Sequence, residues 1–234
     1  MARRREMRGP EPSGRLETVL TDELLDFLMI VNRLKRHKGE NDGGGLRYGS
    51  YKGQKQKVRD SIAEHSYKGM LMCIFLAEQL RINNLNVFHS VKIFGVHDLP
   101  EYLRGDCDAI SVHLGQISKK DKARRETEAI EEIRSKFSFG QMIFELWQEY
   151  EEQKTREAKY ARAVDKLEAT SHMIERGIIT RKRQIGAEHT ALYCDEAIRN
   201  FPELEPMLHS LKARLKPLFV KQGYIWKPEY NYPD

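Results

Sequence analysis

A histidine and an aspartate stand side by side at the end of an apolar stretch of the chain. They are His97 and Asp98, in the segment Ser90-Val-Lys-Ile-Phe-Gly-Val-His-Asp-Leu-Pro-Glu101. An imidazole and a carboxylate are poor core residues but good ligands for a hard divalent cation. Two more residues of ligand type, His65 and Asp165, lie upstream and downstream. We therefore hypothesise that these four side chains meet at one divalent cation, and that the cation serves the hydrolysis of a phosphate ester.

Two neutral imidazoles and two carboxylates around a divalent cation make a centre without net charge. Such a centre can hold a phosphate group and lowers the pKa of a bound water molecule. The ligand types do not select the metal, because Mn²⁺, Co²⁺, Fe²⁺, Mg²⁺ and Zn²⁺ all accept nitrogen and oxygen ligands. Each residue alone also has an ordinary interpretation: His65 as a hydrogen-bonded residue at a helix start, Asp165 as a salt-bridge partner of Lys166 or Arg162. Their combination on three amphipathic segments favours the metal centre.

Three predicted helices position these four residues. The first begins near Ser61, carries His65 in its first turns and continues with apolar residues at helical spacing. The second runs from about 88 to 103 and carries the His-Asp pair, with a kink or an early end expected at Pro100. The third covers 155–175 and carries the downstream aspartate next to its apolar stripe. The ligands therefore come from separate helices that must pack together.

The second of these helices offers two further carboxylates. His97 and Glu101 are four residues apart, and Asp98 and Glu101 three apart. If the helical turn survives Pro100, all three face one pocket. Asp106 would then lie just beyond the helix end, within reach of that pocket.

Helical periodicity extends over most of the remaining chain, and no stretch is convincing as a strand. The further predicted helices cover 21–34, 119–137, 139–152, 187–200 and 203–217. We therefore predict an all-α helical bundle with the metal site at its centre. Residues 1–17 are predicted to be a disordered basic tail, 18–217 a single domain containing a long glycine-rich loop at 39–58, and 218–234 an extended C-terminal arm.

Composition excludes several classes of protein. The chain has 234 residues, 40% of them apolar, which is enough for a buried core. It has no apolar run long enough to span a bilayer, so we expect no membrane partner. The net charge is +5, but the positive charges alternate with acidic ones, which makes nucleic acid an unlikely partner. The three cysteines are widely spaced and are expected to be reduced thiols in the cytoplasm.

The order of His, His-Asp and Asp on successive helices resembles the HD-domain phosphohydrolase superfamily. The closest resemblance is to its 5′-deoxynucleotidase branch, the HD domain-containing protein 2 family. It runs from about residue 21 to 172 and more weakly to about 217, and its most specific part is Val96-His-Asp-Leu-Pro-Glu-Tyr-Leu-Arg-Gly-Asp106. The other resembling segments are Ser61-Ile-Ala-Glu-His65, Lys122-Ala-Arg-Arg-Glu-Thr-Glu-Ala129, Glu145-Leu-Trp-Gln-Glu-Tyr-Glu151 and Glu157-Ala-Lys-Tyr-Ala-Arg-Ala-Val-Asp-Lys-Leu-Glu168.

The resemblance implies an HD-domain helical bundle and assigns roles to the residues of the site. His65, His97, Asp98 and Asp165 would bind a single metal ion. Glu101 would handle protons or position the attacking water, and Asp106 would contact the sugar near its 3′ side. The substrate would be a deoxynucleoside 5′-monophosphate, and the products a deoxynucleoside and phosphate. The resemblance also implies a homodimer.

The segment ahead of the first ligand departs from the family's Arg-x-Gly-Trp pattern. Here it reads Arg47-Tyr-Gly-Ser50, so Arg47 is retained, and Tyr51 or Tyr48 would replace the tryptophan ring in holding the nucleotide. The basic run at 52–59 would suit a di- or triphosphate better than a monophosphate. A deoxynucleoside triphosphate triphosphohydrolase is therefore an alternative, and a nucleotide-sensing module without catalysis is a third hypothesis.

A second group of basic residues lies on the predicted helix at 119–137. Arg124, together with Lys122 and Arg125, is a candidate phosphate clamp. The same residues can equally form a solvated helix face, paired with Glu126 and Glu128.

Overall fold

Helices account for the secondary-structure elements in the part of the chain that the structure describes. This computed structural model describes residues 23, 26–28, 61–101, 112, 113, 115, 117–177 and 184–233. The helices are α1 (Ile62–Gln79), α2 (Val87–Val96), α3 (Lys119–Lys136), α4 (Gly140–Glu152), α5 (Arg156–Arg176), α6 (Gln184–Leu192), α7 (Asp195–Arg199) and α8 (Glu205–Lys221). Short 3-10 turns lie at Pro202–Leu204 and Pro228–Tyr230. The predicted all-α fold is confirmed.

Local signals define where the ligand-bearing helices begin and end. The Ser61 hydroxyl accepts a hydrogen bond from the Glu64 amide at 3.2 Å, and the Ser61 amide donates to the Glu64 carboxylate at 2.7 Å. This reciprocal capping fixes the start of α1 and places His65 near its N-terminus. In α5, the Thr155 hydroxyl caps the first turn and Gly177 ends the helix with a positive φ of 64°.

Helix α5 is central to the core, because it packs against α1, α2, α4 and α8. Small residues on α5, such as Ala158 and Ala161, are fully buried and let neighbouring helices approach closely. The contact between α1 and α2 is equally tight at Gly69. A Cβ atom at that position would lie 2.0 Å from the Phe94 ring, so only glycine fits there. Both contacts bring the ligand-bearing segments against one another.

The structure corrects three of the predicted helices, the first of which was expected to kink or to end early at Pro100. The helix predicted for 88–103 ends at Val96, and a turn follows in which Leu99 donates to the Val96 carbonyl and Glu101 to that of Asp98. Pro100 disfavours a helical residue before it, which explains the early end. The helix predicted for 187–200 is divided by a turn at Tyr193 and Cys194 into α6 and α7.

The third error lies at the C-terminus. Helix α8 does not stop at 217 but continues through Pro217 to Lys221, so that Phe219 is buried in the core. The residues after α8 include the 3-10 turn at Pro228–Tyr230, and the Tyr230 ring is buried. Residues 218–221 are therefore helical and do not belong to an extended arm.

A buried ionic cluster fastens the C-terminal residues to the domain. We call it the lysine cluster; it consists of Asp195 on α7, Lys212 on α8 and the backbone carbonyl of Tyr230. The Lys212 ammonium donates to the Asp195 carboxylate at 2.7 Å and to the Tyr230 carbonyl at 2.7 Å. Both charged side chains are buried. The opposite charges and the carbonyl satisfy one another, which is what burial of an ion pair requires.

Parts of the predicted organisation lie outside the described residues. These are the tail at 1–17, the glycine-rich loop at 39–58 and most of the helix at 21–34, of which Glu23 and Asp26–Leu28 are helical. Within the described ranges, none of the helices has the length and apolar character that crossing a bilayer needs.

Candidate metal centre

The four predicted ligands meet between α1, α2 and α5. His65 lies in the N-terminal part of α1, His97 caps the C-terminal end of α2, Asp98 follows it in the turn, and Asp165 lies in the middle of α5. We call these four residues the ligand cluster. Three of them are buried, and the Asp98 side chain is 22% exposed.

Nitrogen and oxygen atoms converge within this cluster. The His65 Nε2 atom lies 3.3 Å from His97 Nε2, 3.4 Å from Asp165 Oδ1 and 3.5 Å from Asp98 Oδ2. The His97 Nε2 atom lies 3.2 Å from Asp98 Oδ1 and 3.9 Å from Asp165 Oδ1. The structure therefore brings together side chains that are up to 100 residues apart in the chain.

Hydrogen bonds at the far ring nitrogens orient both imidazoles. His97 Nδ1 lies 2.6 Å from the Phe94 carbonyl, and His65 Nδ1 lies 2.5 Å from the Glu168 carboxylate. Each partner is an acceptor, so we assign the proton of each neutral ring to Nδ1. Both Nε2 atoms then present lone pairs to the centre. Burial lowers the pKa of His97, which favours this neutral form.

The Asp165 carboxylate is oriented by two donors. Its Oδ2 atom accepts hydrogen bonds from the Tyr150 hydroxyl at 2.8 Å and from the Lys166 ammonium at 2.8 Å. Oδ1 is left facing the two histidines. Burial alone would raise the pKa of Asp165, but the charge of Lys166 outweighs that effect and holds it well below its ordinary value. The carboxylate is therefore ionised.

This donor set fits a divalent cation. Ligand atoms of His65, His97 and Asp165 all lie within 4.8 Å of one another, and Asp98 is adjacent to both histidines. With both Nδ1 atoms protonated, every atom that faces the centre is an acceptor. Two imidazole nitrogens and carboxylate oxygens suit Mn²⁺, Co²⁺, Fe²⁺ or Zn²⁺, and the same arrangement does not discriminate among them.

Glu101 follows Asp98 by three residues in the chain. It is buried, and its amide donates to the Asp98 carbonyl in the turn after α2. Lys122, at the start of α3, faces the same charges. Burial lowers the pKa of Lys122, but the carboxylates of Glu126, Glu101 and Asp98 outweigh that effect and raise it. The positively charged ammonium group of Lys122 therefore lies near the turn that carries Glu101.

Of the substrate contacts predicted from the sequence, one lies among the residues that the structure describes. Arg124 lies on α3, with its side chain 58% exposed and an ion pair to Glu128 at 2.8 Å. This is the arrangement expected of a solvated helix face, and the role of Arg124 as a phosphate clamp stays a prediction. Arg47, Tyr51 and Asp106 lie outside the described residues.

Sequence reasoning missed the residues that hold the ligands. These are Glu168 behind His65 and Tyr150 behind Asp165, whereas the sequence does offer Lys166 as a salt-bridge partner of Asp165. One signal was present for Glu168: it follows Asp165 by three residues on the same helix face. No comparable signal pointed to Tyr150, because its contact depends on how α4 packs against α5.

An open cleft of about 500 Å³ lies elsewhere on the surface. Its lining includes Arg81, Asn83, Arg156 and Glu203, and none of the ligand cluster. Arg156 is already bonded to the Glu203 carboxylate and to the Asn83 carbonyl. We place the chemistry at the ligand cluster, because among the described residues it is the group in which several metal-ligand atoms converge.

The helical fold and the convergent His and Asp side chains are typical of metal-dependent phosphohydrolases. A family model described as the HD domain matches residues 47–199. This chain belongs to the HD domain family.

Curated relatives carry the name 5′-deoxynucleotidase. The human 5′-deoxynucleotidase HDDC2 is 31% identical over 147 residues, which cover 62% of this chain and 64% of the relative. The protein of the same name from Dictyostelium discoideum is 33% identical over 62% of this chain and 72% of the relative. In Schizosaccharomyces pombe, 5′-deoxynucleotidase hdd1 is 30% identical over 64% of this chain and 72% of the relative. The chain thus spans a little under two thirds of the human relative's length.

Two solved structures share the fold. A predicted metal-dependent phosphohydrolase from Magnetospirillum magnetotacticum has a TM-score of 0.60 at 20% identity, over 92% of this chain and 99% of that one. The PH0347 protein from Pyrococcus horikoshii has a TM-score of 0.61 at 22% identity, over 81% and 99% of the two chains. At these identities the similarity establishes the HD-domain helical fold.

Proposed function

We propose that this protein is a metal-dependent phosphohydrolase that removes the 5′-phosphate of deoxynucleoside monophosphates. The observation that carries the proposal is the ligand cluster, in which His65 Nε2, His97 Nε2 and Asp165 Oδ1 face one point. An arrangement of acceptors alone is costly to bury without a cation. The names of the curated relatives support the choice of a deoxynucleotide as substrate.

The proposed reaction adds water to the phosphoryl group. The water oxygen forms a new bond to phosphorus, the bond from phosphorus to O5′ breaks, and the products are a deoxynucleoside and orthophosphate. A divalent cation in the ligand cluster would supply positive charge to the phosphoryl oxygens and lower the pKa of water. The protein residues must then place the substrate and move protons.

We assign Glu101 to proton handling or to positioning the attacking water. Glu101 is buried, and its amide donates to the carbonyl of Asp98, so the backbone links it directly to one of the proposed ligands. Asp106 is proposed to contact the sugar near its 3′ side. Arg47 and Tyr51 are proposed to hold the nucleotide, and Arg124 remains a candidate phosphate contact.

A triphosphohydrolase acting on deoxynucleoside triphosphates is the alternative. The observation that favours it is the basic run at 52–59, ahead of the first ligand. A sensing module without catalysis is less well supported, because sensing does not need four ligands together with Glu101. A homodimer and a cytoplasmic location also remain predictions, the first of which light scattering would test.

The deciding experiment measures product release with defined metals. The protein is stripped of metal, supplied with Mn²⁺, Co²⁺, Mg²⁺, Fe²⁺ or Zn²⁺ singly, and given ribo- and deoxynucleoside mono- and triphosphates. Orthophosphate from deoxynucleoside monophosphates is the expected result. Inorganic triphosphate from deoxynucleoside triphosphates would favour the alternative. A protein that binds metal but turns over none of these substrates would contradict both enzymatic proposals.

A further inference from the structure

Glu168 is a deeply buried carboxylate directly behind the ligand cluster. Its side chain is 1% exposed, and its Oε2 atom lies 2.5 Å from His65 Nδ1. A buried carboxylate is costly unless hydrogen bonds and opposite charge compensate it. The contact with the Nδ1 atom of His65 is one of the interactions that compensate the burial of this carboxylate.

Helices α1 and α5 both place a charged residue three positions after a proposed ligand. On α5, Asp165 faces the centre and Glu168, three residues later, supports the ligand from α1. On α1, His65 faces the centre and Lys68, three residues later, lies 3.3 Å from Glu168 Oε1. Each of the two helices thus provides one proposed ligand, His65 or Asp165. Three residues after it, each helix provides one member of the ion pair between Lys68 and Glu168.

The two histidines differ in what holds them. His97 Nδ1 is bonded to the neutral carbonyl of Phe94, whereas His65 Nδ1 is bonded to the carboxylate of Glu168. A negatively charged acceptor draws the Nδ1 proton more strongly than a carbonyl does, and this makes Nε2 of the same ring more basic. His65 is therefore the stronger nitrogen donor of the two.

We infer that Glu168 is a positioning residue that fixes the tautomer and ring orientation of His65 and strengthens its Nε2 atom as a metal ligand. This inference rests on the proposed metal centre. Partners that bond the far nitrogen of a metal-bound histidine commonly change metal affinity by about 10- to 100-fold when they are removed. Lys68 balances the charge of Glu168 without touching the ligand.

The test measures Co²⁺ affinity of the full chain by competition with a chelator. Glu168→Ala removes the acceptor and is expected to weaken Co²⁺ binding by about 10- to 100-fold. Glu168→Gln has nearly the same shape, and its amide oxygen still accepts from Nδ1, so a smaller loss is expected. Glu175→Gln is the matched control: Glu175 lies on the same helix and 3.5 Å from the same Lys68. We expect its Co²⁺ affinity to equal that of the wild type.

The ranking of the variants separates positioning from packing. A loss that increases from wild type through Glu168→Gln to Glu168→Ala, with a changed Co²⁺ absorption spectrum, supports the inference. Wild-type affinity and an unchanged spectrum in folded Glu168→Gln and Glu168→Ala would overturn it. If Glu168→Ala does not fold, Glu168→Gln tests the strengthening of Nε2, because it removes only the negative charge; unchanged affinity and spectrum in that variant would overturn this part of the inference.

The same experiment distinguishes this inference from the proposed function. A wild type that binds Co²⁺ with the expected ranking but hydrolyses no nucleotide would contradict the proposed function only. A wild type that hydrolyses deoxynucleotides while both Glu168 variants keep full Co²⁺ affinity would contradict the inference only. A wild type without measurable affinity for Co²⁺ would overturn both.

Discussion

Two buried ionic clusters in this protein have opposite designs. In the lysine cluster, one ammonium group donates to a carboxylate and a carbonyl, so each donor meets an acceptor. In the ligand cluster, two imidazole nitrogens and two carboxylates face one another. With the Nδ1 tautomers that we assign to both histidines, all the atoms that point inward are acceptors. The lysine cluster pairs opposite charges within the protein itself, whereas the ligand cluster has the donor set of a site that could hold a cation.

The surroundings of the two clusters reinforce this difference. Three of the four members have a donor or acceptor that fixes them from behind: Phe94 for His97, Glu168 for His65, and Tyr150 with Lys166 for Asp165. Such support orients a ligand towards its metal. The lysine cluster instead joins α7, α8 and the C-terminal residues, as expected of a structural fastening.

Asp98→Ala should produce the largest effect. It removes a ligand and one of two neighbouring negative charges, so we expect metal affinity to fall by more than the roughly 100-fold seen for supporting residues, with no remaining phosphate release. Asp98 is the most exposed member of the cluster, so the fold should survive. When a chelator keeps both proteins free of metal, the free energy of unfolding of Asp98→Ala should be close to that of the wild type. Metal titration and urea unfolding check these points, and retained metal binding would remove Asp98 from the ligand set.

Glu101→Gln should separate chemistry from metal binding. The variant keeps the shape of the side chain but loses its ability to accept a proton, so we expect turnover to fall by about 100- to 10,000-fold. Metal affinity should stay near that of the wild type, because Glu101 is not one of the ligands in our assignment. Phosphate release and metal titration on the same preparation give both values. A loss of metal would mean that Glu101 is itself a ligand.

Asp195→Ala tests the lysine cluster in the same way. Removing one partner leaves the buried Lys212 charge without its counter-ion, and this costs about 3–5 kcal/mol of unfolding free energy. Metal affinity of the folded variant should not change. Urea unfolding and metal titration measure the two effects. The double variant Asp195→Leu/Lys212→Met should recover much of the stability, since it removes both charges; a further loss would contradict our description of the cluster.

The ligand cluster was predictable because its members follow local rules. The capping pair Ser61 and Glu64 marks the start of α1. The spacing of apolar residues places His65 and Asp165 beside the buried faces of their helices. The resemblance to the HD domain then joins residues that no local rule connects. The early end of α2 was one of the two outcomes that Pro100 predicts, and the structure shows that the helix ends at Val96, four residues before the proline.

The supporting residues could not be predicted from spacing alone. Glu168 and His65 are 103 positions apart, and their contact depends on the rotation of α5 against α1. The lysine cluster likewise depends on how α7 and α8 pack against the C-terminal residues. In addition, α8 continues through Pro217, where the sequence predicts a helix end. These contacts depend on how distant helices pack against one another. The periodic pattern of apolar residues in the sequence does not specify that packing.

Tyr150→Phe should give the smallest effect and tests how far support extends behind the ligands. The Tyr150 hydroxyl donates to Asp165 Oδ2 at 2.8 Å, but Lys166 donates to the same oxygen. Burial raises the pKa of Tyr150 well above its ordinary value, so the group remains a donor. Because Lys166 still holds the carboxylate in the variant, we expect metal affinity to fall by less than about 10-fold and unfolding free energy by about 1 kcal/mol.

Tyr160→Phe is the matched control for this small effect. The Tyr160 hydroxyl is also buried and donates to the Cys73 carbonyl at 2.7 Å, away from the ligand cluster. The two variants should therefore lose similar unfolding free energy in urea, while only Tyr150→Phe weakens metal binding. Equal metal affinities in the two variants would mean that Lys166 alone orients Asp165. A loss in Tyr150→Phe as large as that of Asp98→Ala would instead mean that the tyrosine, and not the lysine, holds the carboxylate towards the metal.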